Sequence, residues 1–200
     1  RLRTYASTHR ITMIVGSLIM QIDDQVLNRT LVIDAEGQIQ TSYDKIHLFD
    51  VDLASGESYR ESALFDAGTH PQLTQINDWS VGLSICFDLR FPELYRHYAD
   101  KGCDLVFIPS SFTQQTGQRH WNALCLARAI ENQCYVLAPN QVGIGSNNAD
   151  TYGHSLIIDP YGRVLAEGPE NKPAVLTAKL SKTTLKTTRT HFPLLSARKL

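Results

Sequence analysis

Apolar positions in this chain fall in short runs bounded by glycine, proline and polar clusters, and their spacing alternates between strand and helix periods. Arg1–Arg10 predicts the end of a helix and Ile11–Met20 a buried strand. Arg29–Asp34 and Gln38–Tyr43, separated by Ala35-Glu36-Gly37, predict a hairpin whose second strand alternates in polarity. Asp44–Asp50 has too many ionisable groups for a strand core and too few turn formers for a simple connection. Val51–His70 predicts a loop of roughly 20 residues, a length that usually goes with function. Further on, Pro92–Lys101 predicts a helix closed by Gly102, and Asp104–Ile108 a strand. His120–Asn132 predicts a helix with Trp121, Leu124, Ala127 and Ile130 on its apolar face, followed by a strand at Cys134–Ala138. Asn140–Thr151 predicts a loop rich in glycine and asparagine. Gly153–Asp159 and Arg163–Glu167 then make a second hairpin, and Ala174–Lys179 a last strand before a short helical or irregular tail. Parallel βαβ units in the middle with antiparallel hairpins on either side fit two packed sheets covered by helices, in one α/β domain over residues 1–200.

The centre of this pattern is Val81–Leu94. Val81, Leu83 and Ile85 alternate with small or polar residues as in a half-buried strand, and Pro92 suits the first turn of a helix. Cys86 falls at the carboxyl end of that strand, where open α/β sheets bind ligands and where turn amides can face a developing negative charge. That is a position for a nucleophile. It is equally a position for a small buried hydrophobe, which is how Cys103, Cys125 and Cys134 read.

Composition narrows the choice mainly by exclusion. A chain of 200 residues, 42% hydrophobic and 20% charged, has an ordinary globular balance. Its net charge of -1 and lack of a basic run argue against nucleic acid as a partner. No apolar run is long enough to cross a bilayer. Neither a phosphate-binding nor a dinucleotide-binding glycine loop occurs, and no histidines or cysteines have zinc-type spacing, so no metal and no cofactor are expected. Four cysteines without a signal peptide read as reduced thiols of a cytoplasmic protein.

A catalytic thiol needs a base or a positive neighbour to ionise. The histidines, His120 among them, are scattered. Lys45 lies between Tyr43 and Ile46, Leu48 and Phe49, which can cover its stem, although a lone lysine is more often a solvated surface charge. Arg90, four residues after Cys86, could fork onto a substrate carboxylate, or could instead pair with Asp88 or Glu93 to hold the turn. Phe112, Thr113 and His120 follow a strand end and could line a pocket. Arg128 and Glu131 fit a structural ion pair on one helix face.

Several stretches, taken together and in order, resemble the nitrilase superfamily of carbon-nitrogen hydrolases, Nit branch. They are Tyr43-Asp-Lys45-Ile-His-Leu-Phe-Asp-Val-Asp52, Gly82-Leu-Ser-Ile-Cys86-Phe-Asp-Leu-Arg-Phe-Pro-Glu-Leu94, His120-Trp121 and Arg128-Ala-Ile-Glu-Asn-Gln-Cys-Tyr-Val136. The resemblance implies an α-β-β-α sandwich, usually a homodimer, and a Glu-Lys-Cys triad. By motif Cys86 is the nucleophile, Lys45 the lysine, and Glu61 in Tyr59-Arg-Glu-Ser62 a second glutamate that orients it; Phe87, Arg90, Phe112 and His120 are the substrate-binding candidates. It implies that the family's early strands, helix and base glutamate precede Arg1, so a chain of these residues alone is expected to be inactive. The implied activity is thiol-dependent hydrolysis of a small carboxylate-bearing amide. Gln141-Val-Gly143 and Tyr152-Gly-His-Ser155 resemble the deaminated glutathione amidases more than the ω-amidases that take 2-oxoglutaramate. A non-catalytic interaction protein of the same fold is the alternative from another class.

Overall fold

The computed structural model describes residues 1–53, 56–145 and 150–199. Helix α1 (Leu2–His9) leads into β1 (Met13–Ile22), β2 (Gln25–Ile33) and β3 (Ile39–Asp44), an antiparallel sheet in that order. A small hairpin, β4 (Asp50–Asp52) with β5 (Ser58–Arg60), and a 3-10 turn at Glu61–Ala63 follow. Next come β6 (Gln72–Ile76), β7 (Trp79–Leu83), helix α2 (Pro92–Asp100) and β8 (Leu105–Phe107). The short helix α3 (Gln114–Thr116) runs through a π-helical turn into α4 (Asn122–Asn132) and then β9 (Tyr135–Ala138). A hairpin of β10 (Val142–Ile144) and β11 (Asp150–Tyr152), strands β12 (Leu156–Ile158) and β13 (Val164–Glu167), and helices α5 (Lys182–His191) and α6 (Leu194–Ala197) complete the chain. The large sheet has the order β13-β12-β9-β8-β7-β6, with β7, β8 and β9 parallel and the outer pairs antiparallel.

Alternation along β2 explains the layering. Leu31 and Ile33 pack against Ala6 of α1, whereas Val32 faces the large sheet and joins Val81, Leu83, Ile85, Leu105 and Tyr135. The opposite face of the large sheet, with Val106, Ile108 and Val136, is covered by Tyr95 and Tyr98 of α2 and Cys125 and Ala129 of α4. Helix, small sheet, large sheet, helices is the α-β-β-α order that the sequence suggests.

Several expectations are corrected. Ile11–Met20 is a strand in the main but not a buried one, because β1 lies at the sheet edge and leaves Leu18 and Ile19 exposed. The strand before Cys86 is buried on both faces, not half-buried. Gly82 lies under the Tyr98 ring, and Ser84 is satisfied internally by Phe107 O and the Tyr95 hydroxyl. The predicted loops at 51–70 and 140–151 contain the β4–β5 and β10–β11 hairpins; Ala54, Ser55 and 146–149 lie outside the described residues. Ala174–Lys179 is not a strand. The buried face of α4 is Cys125, Arg128, Ala129 and Asn132; Ile130 is exposed and Leu124 and Ala127 are intermediate. Arg128 can be buried there because Nε and Nη2 donate to Leu89 O at 3.1 and 2.8 Å and Nη1 donates to Glu131.

Candidate active site

Strand β7 ends at Leu83, and three residues later the chain turns sharply at Cys86, which has φ 49° and donates its N–H to Pro109 O at 2.9 Å. The left-handed backbone at a non-glycine residue is strain confined to this turn. Cys86 is partly exposed, whereas Cys103, Cys125 and Cys134 are buried. Burial pushes the Cys86 thiol up from its ordinary pKa; the charge of Lys45 and a hydrogen bond from the Ser111 N–H pull it down, without cancelling the rise. Burial takes the Cys103 thiol up to about 12, and it raises Cys125 and Cys134 as well. The three are inert packing residues, as expected.

Lys45 is 3% exposed and continues from β3, its N–H donating to Asn28 O at 2.9 Å. Its ammonium is ion-paired with Glu61. The same Glu61 oxygen accepts the Phe49 N–H at 2.6 Å, and the other lies 3.5 Å from Asn28 Nδ2. A lysine this deeply placed is therefore not a solvated surface charge; it is held by a carboxylate that is itself fixed by backbone.

Lys45, Glu61 and Cys86 line one cavity of about 990 Å³, together with Phe87, Arg90, Phe112 and Thr113. Residues 45 and 86, separated along the chain and carried by different sheets, thus share one space. Arg90 is held by neither Asp88 nor Glu93. Its guanidinium carbon lies 5.8 Å from the Phe87 ring centre and 5.3 Å from that of Phe112, and Nη1 is 3.1 Å from His120 Nδ1. His120 is the exception among the binding candidates: it is exposed and sits behind Arg90 without lining the cavity. The π-helical turn at Gly117–Trp121 sends Trp121 into the core, and His120, the residue before it, stays at the surface.

Other wall residues are not singled out as site residues by the sequence: Tyr59 and Gln141 fall inside motif stretches without a role of their own, and Asn28 and Lys172 come from ordinary-looking stretches. Asn28, Tyr59, Gln141 and Lys172 all line the cavity. Asn28 Oδ1 and the Tyr59 hydroxyl are buried without a hydrogen-bond partner among the described residues. Asp88 is wholly buried at the turn, with Oδ2 accepting from the Tyr43 hydroxyl at 2.7 Å and from the Ile85 N–H at 2.8 Å. Its Oδ1 accepts the His47 N–H at 3.0 Å and lies 2.7 Å from His47 Nδ1. Among the described residues no group of three or more His, Cys, Asp or Glu is placed to hold a metal ion, and no helix is long and apolar enough to cross a membrane.

A family model described as carbon-nitrogen hydrolase matches residues 1–190. A deaminated glutathione amidase from Synechocystis is 40% identical over 202 residues, covering 98% of this chain and 74% of that protein. Among solved structures, the NitFhit protein of C. elegans superposes with a TM-score of 0.90 at 36% identity, over 98% of this chain and 48% of the other. Nit3 of Saccharomyces cerevisiae, described as a member of branch 10 of the nitrilase superfamily, gives 0.87 at 28% identity, over 96% of this chain and 68% of the other.

Proposed function

Because the chain belongs to the carbon-nitrogen hydrolase family, we propose that it forms the thiol site of an amidase acting on a small amide that carries a carboxylate, with a substrate of the deaminated glutathione type. The observation that carries this is the presence of Lys45, Glu61 and Cys86 on one cavity wall. Cys86 sulfur attacks the amide carbon as its proton leaves, and a tetrahedral oxyanion forms. The Lys45 ammonium and the Phe87 backbone N–H stabilise that oxyanion, each such donor being worth about 3 to 4 kcal/mol. The C–N bond breaks, nitrogen takes up the proton and the amine departs, as ammonia where the amide is primary, leaving a thioester on Cys86. Water then cleaves the thioester to release the carboxylic acid and restore the thiol. Glu61 holds Lys45 in place.

The proton acceptor is the glutamate that family likeness places on an early strand. No residue of this chain matches it, and the role passes to none of Glu36, Glu57 or Glu61. Arg90 recognises the substrate carboxylate: its fork matches a carboxylate bidentately, and the Phe87 and Phe112 rings hold it in place.

The test is hydrolysis by the gene product of deaminated glutathione, 2-oxoglutaramate and an uncharged primary amide of similar size, read as release of the leaving amine: the dipeptide from the first, ammonia from the other two. Deaminated glutathione is expected to be the best substrate. Cys86→Ala is expected to lower the rate by at least about 10³-fold, and Arg90→Lys to raise KM for the carboxylate substrates about tenfold without changing it for the uncharged amide. Undiminished release by Cys86→Ala refutes the thiol mechanism. A clear preference for 2-oxoglutaramate moves the assignment to the ω-amidases.

A further inference from the structure

Asp88 takes no part in the chemistry above, yet it is 0% exposed and receives hydrogen bonds from two different parts of the site. Ile85, whose N–H it accepts, immediately precedes Cys86. Tyr43 and His47, which it also engages, stand two residues before and two residues after Lys45. His47 is further fixed by stacking on Phe91, with ring centres 3.7 Å apart. One carboxylate thus grips the lysine segment on both sides and the nucleophile turn at its entry.

This link matters because of how the two segments are otherwise joined. Among the described residues, β3 pairs only with β2, and β7 only with β6 and β8, so no ladder of backbone hydrogen bonds runs from the lysine strand to the nucleophile strand. The sheets meet through apolar packing of Val32 and Tyr43 on Val81, Leu83 and Ile85, with a polar link at the far end of β3 from Lys45, where Gln40 Nε2 donates to Gln75 O and Thr74 Oγ1 of β6. Such packing is non-directional and tolerates small sliding, whereas hydrogen bonds to a buried carboxylate have fixed lengths and angles.

We propose that Asp88 is a positioning residue: it sets the distance between the Lys45 ammonium and the Cys86 sulfur, so that both meet the same substrate carbonyl. This rests on the amidase mechanism above for its kinetic consequence but not for its geometry. A misplacement of about 1 Å between reacting groups can cost on the order of 100-fold in rate.

Asp88→Asn keeps the shape but turns one acceptor into an NH2, which must face either the Ile85 N–H or the His47 N–H. The gene product and its Asp88→Asn variant are compared by thiolate absorbance against pH, with the Cys86→Ala protein subtracted, and by amide turnover. The Asp88 charge by itself raises the Cys86 pKa and the Lys45 charge lowers it, so the two explanations have opposite signs. Expected are an upward shift of the Cys86 titration as Lys45 is released, and a kcat lowered by about 10- to 100-fold with KM nearly unchanged. A downward shift would show that Asp88 acts only through its charge. A lower melting temperature with unaltered kcat and titration would make it a simple structural cap. Either result overturns the proposal. Tyr43→Phe removes one donor and leaves the carboxylate, so it carries the test if Asp88→Asn fails to fold; the same changes are expected, smaller, and their absence would be equally fatal. The titration needs no substrate, so a wrong amide assignment would show as absent turnover with the shift intact.

Discussion

At Cys86 the surroundings act in opposite directions on one proton: loss of water around the sulfur disfavours the thiolate, while Lys45 and the Ser111 N–H favour it. Because the net shift is upward, little thiolate is present at neutral pH, and attack has to be concerted with proton removal. Alkylation of Cys86 by iodoacetamide, followed by peptide mass, is therefore expected to keep accelerating above pH ~8.5, where a free thiol is half ionised. A plateau at or below that pH would mean that the thiolate is already stabilised in the resting protein. Of the site's residues, those with an unusual chemical type at a motif position were legible: Cys86, Lys45, Glu61, Phe87 and Arg90. His120 was misplaced because nothing in the residue string marks the π-helical turn that leaves it on the surface beside Arg90. Asn28 and Tyr59 were invisible, since neither their type nor their spacing differs from ordinary strand and hairpin residues.

At the scale of elements, strands and helices were located well by their periods, and faces less well. Burial of β7 on both sides could not be read from Gly82 and Ser84, small residues that suit a solvated face equally well. Their size is instead a packing requirement. A Cβ on Gly82 would lie 2.6 Å from Tyr98 Cδ2, and Tyr98 cannot swing aside because its hydroxyl donates to Leu83 O and accepts the Gln72 N–H. Gly82→Ala is expected to cost about 1 to 3 kcal/mol by overpacking, measured by urea denaturation. A loss of less than about 0.5 kcal/mol, within the range of neutral surface changes, would show that α2 shifts freely over the sheet. In α4 the apolar stripe misled because its interior includes two polar residues, Arg128, whose guanidinium donates to Leu89 O and Glu131, and Asn132, whose Nδ2 donates to Arg128 O. Periodicity counts apolar letters, and a satisfied buried arginine does not register as one.

Across the whole molecule, the end of the chain is tied to the middle. Asp104, just before β8, accepts from the Ser80 N–H at 3.1 Å and Lys182 Nζ at 2.6 Å, and pairs with Arg189 at 3.3 Å. Both cations belong to α5, which also contributes Leu185 to the interior between the sheets. Asp104→Ala leaves the Ser80 N–H without this acceptor and takes the carboxylate from two partly exposed cations, which keep only backbone carbonyls: Asp78 O for Lys182, and Gln133 O and Cys103 O for Arg189. It is expected to lower stability by about 1 to 3 kcal/mol, with α5 amides losing hydrogen-exchange protection before those of β7 to β9. Uniform loss across the chain would mean that α5 does not open separately. Two packed sheets covered by helices were legible because the alternation in β3 and the βαβ grammar around Cys86 are local. The attachment of α5 was not, because its partners lie some 80 positions away and no spacing rule connects them.

The cavity wall draws on residues from Gly16 to Leu176. During synthesis, a nascent polypeptide that has emerged only as far as the first helix after the nucleophile carries the sulfur and the ammonium but not the far wall. The space around the sulfur is consequently walled in only once the segment around Leu176 has been made and has folded back onto it.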